Sequence, residues 1–78
     1  MSSTKSSSKR LVVCVDNDDF PVALETRKIY IALRDQPAEK NGLLRIVDES
    51  GDDYLYPKSM FRPIELPQPV KRAVLAAA

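Results

Sequence analysis

The side chains of this chain best suited to chemistry are carboxylates, and they come in two clusters. Asp48, Glu49, Asp52 and Asp53 surround Gly51, while Asp16, Asp18 and Asp19, with Asn17 among them, follow a short apolar run. Paired carboxylates divide acid and base work when an apolar pocket separates their pKa values. The four around Gly51 have no such pocket in their own stretch and read as the solvated tip of a hairpin. The second cluster looks like the opening of a calcium loop, but its spacing fails. An EF-hand loop wants Gly at its sixth position and Glu at its twelfth. Starting from Asp16 these are Pro21 and Arg27, and starting from Asp18 they are Ala23 and Ile29. The cluster therefore reads as a polar loop.

Other reactive groups are scarce. Cys14 is the single thiol and sits inside Leu11–Val15 with no adjacent base to stabilise a thiolate, so it reads as buried and inert rather than nucleophilic. The chain has no histidine, hence neither the usual general base nor the usual metal ligand. One cysteine cannot build a multi-cysteine zinc site. The only glycines, Gly42 and Gly51, do not make a phosphate-cradling loop. The expectation is a protein that is not an enzyme, with no catalytic residue, no cofactor and no metal.

Recognition then falls to the aromatics. Phe20, Tyr30, Tyr54, Tyr56 and Phe61 are the candidate partner-binding residues. Tyr54 and Tyr56 alternate with Leu55, so if Leu55 is core both tyrosines face outward, as two aromatics on one sheet face suited to a binding hot spot. Packing beneath the N-terminal arm or the loop at Phe20 is the other reading. Phe20 and Pro21 are expected to fold back onto the body, and Tyr30 is assigned to packing ahead of a ligand groove.

The elements that position these residues are mostly strands. Leu11–Val15 is a continuous β-branched run of strand length. In Lys28–Leu33, alternation puts Ile29, Ile31 and Leu33 on one face, expected inward, and Tyr30 and Ala32 on the other. Leu24–Arg27 reads as a turn into that strand. Arg34–Gly42 is a polar loop in which Ala38–Asn41 has room for one helical turn closed by Gly42. Leu43–Val47 and Tyr54–Tyr56 form a hairpin pivoting on Gly51, which tolerates positive φ. Pro57 cannot donate to a ladder and opens one turn of 3₁₀ or α helix through Met60. Phe61–Leu66 returns as a strand that Pro63 confines to an edge or to a position where no N–H is required.

Length and charge set the limits. Seventy-eight residues allow one domain with a small core and no cleft between lobes. The chain carries twelve basic and eleven acidic residues, but residues 11–70 hold seven basic against eleven acidic, a net −4, and the ends are basic. Residues 1–9 are Ser- and Lys-rich and expected to be a disordered tail. Residues 10–67 form the folded body, and residues 68–78 a flexible or weakly helical tail unless Val70, Val74 and Leu75 dock. No apolar run approaches the length of a membrane span, and a lone cysteine without a leader segment fits a reducing cytoplasm. A soluble monomer is expected.

Taken in order, strand, loop, strand, loop, hairpin, one helical turn and closing strand resemble the plan of a Src-homology-3-like barrel. The resemblance is most specific at Tyr54–Ile64, YLYPKSMFRPI, where a strand runs into a proline that opens a 3₁₀ turn before a short final strand. Cys14–Leu66 is also similar to short bacterial and phage proteins of the pattern GK-I-Y-x-L … DESG-DYLYP … F-x-P-I. Here Arg27 stands where glycine is usual. The resemblance implies a mostly β, five-stranded SH3-like barrel with one 3₁₀ turn and flexible tails, and carries no activity with it. Signalling members of that family bind polyproline through a tryptophan-lined groove, and this chain has no tryptophan.

The function these features favour is a protein–protein interaction module with an unknown protein partner. Nucleic-acid binding, with bases stacked on sheet aromatics beside Arg45, Lys58 and Arg62, is the alternative, opposed by the acidic body. A structural subunit of a larger assembly is the third reading.

Overall fold

Runs of β-branched and aromatic residues punctuated by Gly and Pro become five strands in the computed structural model, which describes residues 9–77. They are β1 (Lys9–Cys14), β2 (Ile29–Leu33), β3 (Leu43–Val47), β4 (Asp53–Pro57) and β5 (Phe61–Pro63). Two helices, α1 (Gln36–Lys40) and α2 (Gln68–Ala77), and a 3₁₀ turn (Lys58–Met60) complete the described residues. Residues 1–8 of the expected disordered tail lie outside them, whereas Lys9, also placed in that tail, begins β1.

All strand pairs are antiparallel, in one sheet ordered β4-β3-β2-β1-β5. Gly51 sits at the β3–β4 reversal with φ +88°, and its N–H donates to the Asp48 carbonyl. The 3₁₀ turn follows Pro57, its Lys58 N–H donating to the Gly42 carbonyl at 2.8 Å. At its other end the Met60 carbonyl accepts from Val15 N–H at 2.8 Å. β5 pairs only with β1 and lies at a sheet edge, the position Pro63 requires.

The register decides which face is core. Val12 opposes Tyr30, Ile46 opposes Tyr54, and Leu44 opposes Tyr56. Val12, Cys14, Tyr30, Ala32, Leu44, Ile46, Tyr56 and Phe61 line the interior, plugged by Leu24 and closed by Met60, while Tyr54 stays exposed. This inverts the expected β2 orientation: Tyr30 and Ala32 are buried, and Ile29, Ile31 and Leu33 are half-buried on the opposite face. In β4, Tyr54 is exposed and the two positions after it differ from the expectation. Leu55 is exposed and Tyr56 buried. Both β2 faces are apolar, so alternation alone did not choose; cross-strand neighbours and bonding partners for the tyrosine hydroxyls did.

Leu11, Val13, Ile29, Ile31 and Val47 share the outer face. The C-terminal segment crosses it as a helix rather than a free tail. Val74 and Ala77 border a cleft of about 380 Å³ with Ile29, Ile31 and Val47, and Gln68 and Lys71 border one of about 350 Å³ with Leu11. Val74 and Leu75 are half-buried, Val70 is exposed, and no α2 residue is fully buried. α2 is thus a loose cover over apolar surface.

Shorter connections are fixed by side chains. Asp35 caps α1 by accepting from Ala38 N–H at 3.1 Å, with Glu39 reaching back to Asp35 N–H. Arg45 Nε bonds the same Asp35 at 2.8 Å and its Nη1 bonds Asp53 at 3.1 Å.

Candidate functional site

The acidic hairpin faces the protein as much as the solvent. Asp48 is buried, and its Oδ1 accepts from Ser50 N–H at 2.9 Å and from the Ser50 hydroxyl at 2.5 Å. Its Oδ2 accepts from the Tyr56 hydroxyl at 2.5 Å. Glu49, the next residue, accepts from the Tyr30 hydroxyl at 2.5 Å and pairs with Lys28 Nζ at 2.6 Å. Two consecutive carboxylates therefore each hold the phenol of a different core tyrosine. The expectation of a solvated acidic tip is corrected at Asp48, because its oxygens replace water with Ser50 and Tyr56.

Burial alone would raise the Asp48 pKa, yet the bonds from Ser50 and Tyr56 outweigh it and leave the carboxyl below its ordinary value. Lys28 first and the Tyr30 hydroxyl second hold Glu49 down as well. On the other side of each bond, desolvation and then the carboxylate push Tyr56 up to about 12 and raise Tyr30 further. Acids kept ionised and phenols kept protonated are suited to pinning strands together, not to exchanging protons near neutrality.

The loop between β1 and β2 completes this pin. Glu25 N–H donates to the Tyr30 hydroxyl at 2.8 Å, and Glu49 N–H donates to the Ala23 carbonyl at 3.0 Å. Asn17 Nδ2 donates to the Leu24 carbonyl, and Leu24 is fully buried. Sequence reading placed Leu24 in a turn; its place after the short apolar run Phe20–Ala23, without strand or helix periodicity, hid its role as a core plug. The one signal was that Leu24 is the only leucine between β1 and β2.

Of the five candidate partner-binding aromatics, four pack together. Phe20 meets Tyr56 edge-on with ring centroids 4.9 Å apart, and Phe61 lies edge-on to both Tyr30 (6.3 Å) and Tyr56 (6.4 Å). Tyr30, Tyr56 and Phe61 are buried and Phe20 is half-buried. Tyr54 is separate, 53% exposed on β4, beside Leu55 at 41%. β4 ends the strand order and has no strand on its outer side. Sequence reading did not single out Leu55, which entered it only as a conditional core residue between the two tyrosines.

Cys14 is wholly buried, and desolvation raises its thiol pKa. Among the described residues no group of three or more Cys, Asp or Glu side chains is placed to hold a metal ion, and no helix is long and apolar enough to cross a membrane. Compared with models of protein families, with curated proteins and with solved structures, the chain finds no match.

Proposed function

We propose that this chain is a small SH3-like barrel that serves as a non-catalytic binding module in the cytoplasm, engaging a protein partner through the Tyr54–Leu55 end of β4. The observation that carries this reading is a tyrosine and a leucine, adjacent and solvent-exposed, on a strand that terminates the sheet. Tyrosine contributes large contact area at low entropic cost and is enriched where binding energy concentrates. A terminal strand also offers a backbone edge to which an extended segment can add. Asp53 and Pro57 flank the pair and discourage indiscriminate edge-to-edge pairing. The barrel reading draws support from β1 pairing with both β2 and β5, and from the 3₁₀ turn whose two ends bond to Gly42 and Val15. A base-stacking surface lacks its second exposed ring, which favours protein over nucleic acid as partner.

Co-purification of the full chain from its native cells, in parallel with Tyr54→Ala and Leu55→Ser, tests this reading. Both residues are exposed, so the fold is retained, as amide spectra would verify. A protein recovered with the native chain and depleted about tenfold by each variant is expected, as for loss of a contact near 1.4 kcal/mol. Equal recovery of every associated protein by all three chains overturns the proposal.

A further inference from the structure

We propose that the chain also associates head to tail with further copies of itself, Val22 of one copy seating in an apolar pocket between Arg10 and Lys58 of the next. The pocket has a volume of about 90 Å³ and is walled by Val12, Leu44, Phe61 and Pro63. Val12, Leu44 and Phe61 are core residues, so its floor is apolar, and the space accommodates one small aliphatic side chain. Its rim is cationic. Lys58 has no acidic partner among the described residues, and Arg10 is shared only with Glu39, at 3.2 Å on the surface.

The complementary feature is on the loop between β1 and β2. Val22 is 90% exposed, the most solvent-open large apolar side chain described. Asp18, Asp19 and Glu25 flank it in sequence, and none of the three makes an ion pair among the described residues. A single aliphatic knob within an acidic collar thus matches a single apolar hole within a basic collar, in size and in sign.

The two features lie at opposite ends of the sheet. Arg10 is the second residue of β1, whereas the Val22 loop leaves its far end; Leu44 is the second residue of β3, whereas Ala23 is bonded to Glu49 beyond the end of that strand. Val22 is exposed and takes no part in the pocket of its own chain, and the contact uses different surfaces on the two copies. Such a contact repeats rather than closing on a two-fold axis. Opposed charges orient the encounter, and the small contact keeps it weak and salt-sensitive.

Sedimentation equilibrium of the full chain, up to roughly 1 mM, reads this directly. The expected result is an average mass that rises with concentration in about 0.02 M salt and returns to that of one chain in about 0.5 M salt. Val22→Asp and Lys58→Glu, both at exposed positions, each stay at the mass of one chain. Their equimolar mixture forms a dimer and nothing larger, because the intact Val22 of one variant enters the intact pocket of the other and neither can extend. Native chain that stays at the mass of one chain throughout, association indifferent to salt, or a mixture that fails to dimerise overturns the proposal. Tyr54→Ala leaves every one of these masses unchanged, so failure here and failure of the β4 reading are distinguishable.

Discussion

Arg27 is the one described residue other than glycine with positive φ, at +67°. Its N–H donates to the Cys14 carbonyl at 2.7 Å, so the strained residue closes the β1–β2 loop back onto the strand it left. A left-handed conformation costs a side-chain-bearing residue about 1–2 kcal/mol, of which glycine's greater freedom in the unfolded chain returns part. Arg27→Gly is therefore expected to stabilise the protein by about 0.5–1 kcal/mol, read as a higher urea midpoint at unchanged slope. A lower midpoint would show that the arginine side chain contributes more than its backbone costs. The same residue shows what sequence could say. Sequence placed Arg27 in a turn before β2 without giving it this conformation, whereas Gly51, with φ +88°, stands at its expected place in the hairpin.

Elements with distinctive punctuation were readable from sequence, and elements with two apolar faces were not. The β3–β4 hairpin, the 3₁₀ turn after Pro57 and the edge position of β5 each follow from a Gly or Pro whose backbone admits few alternatives. The inward face of β2 does not, since isoleucines on one side and Tyr30 with Ala32 on the other are equally credible cores. What chose between them lies far away in sequence: Glu49 accepting from the Tyr30 hydroxyl, and α2 lying over the isoleucines. The long β1–β2 connection shows the same dependence, because it is an ordered loop built around one buried leucine. Leu24→Ala is expected to cost about 2–5 kcal/mol, the range for truncating a wholly buried leucine. Leu55→Ala, in a regular strand but exposed, should stay within about 0.5 kcal/mol. Equal losses in chemical denaturation would contradict this division between plug and surface.

Across the whole molecule, the titratable groups that couple to folding lie far from neutrality. Asp48 and Glu49 have folded pKa values below their ordinary ones, as has Asp35 through its bonds from Ala38 N–H and Arg45. The stability they contribute is complete above the unfolded carboxyl value near pH 4 and is lost as pH falls through the lower folded values. Tyr30 and Tyr56 are raised, so their contribution is complete below the unfolded phenol value near pH 10 and disappears as pH rises through the folded values, that of Tyr56 being about 12. With no histidine in the chain, and with the buried Cys14 thiol raised above an unfolded value of about pH 8.5, melting temperature should be flat between about pH 5 and pH 8 and fall on both sides. A marked slope between about pH 6 and pH 8 in calorimetry would show a coupled group of another kind.

The seclusion of Cys14 gives the protein an internal clock. Its sulfur has no exposure and lies between β2 and β5, on the strand that joins them. A thiol reagent must wait for that junction to part, so the pace of Cys14 alkylation counts how often the end of β1 comes away from its neighbours. One unmodified sulfur can thus time the opening of the molecule, with no label attached beforehand.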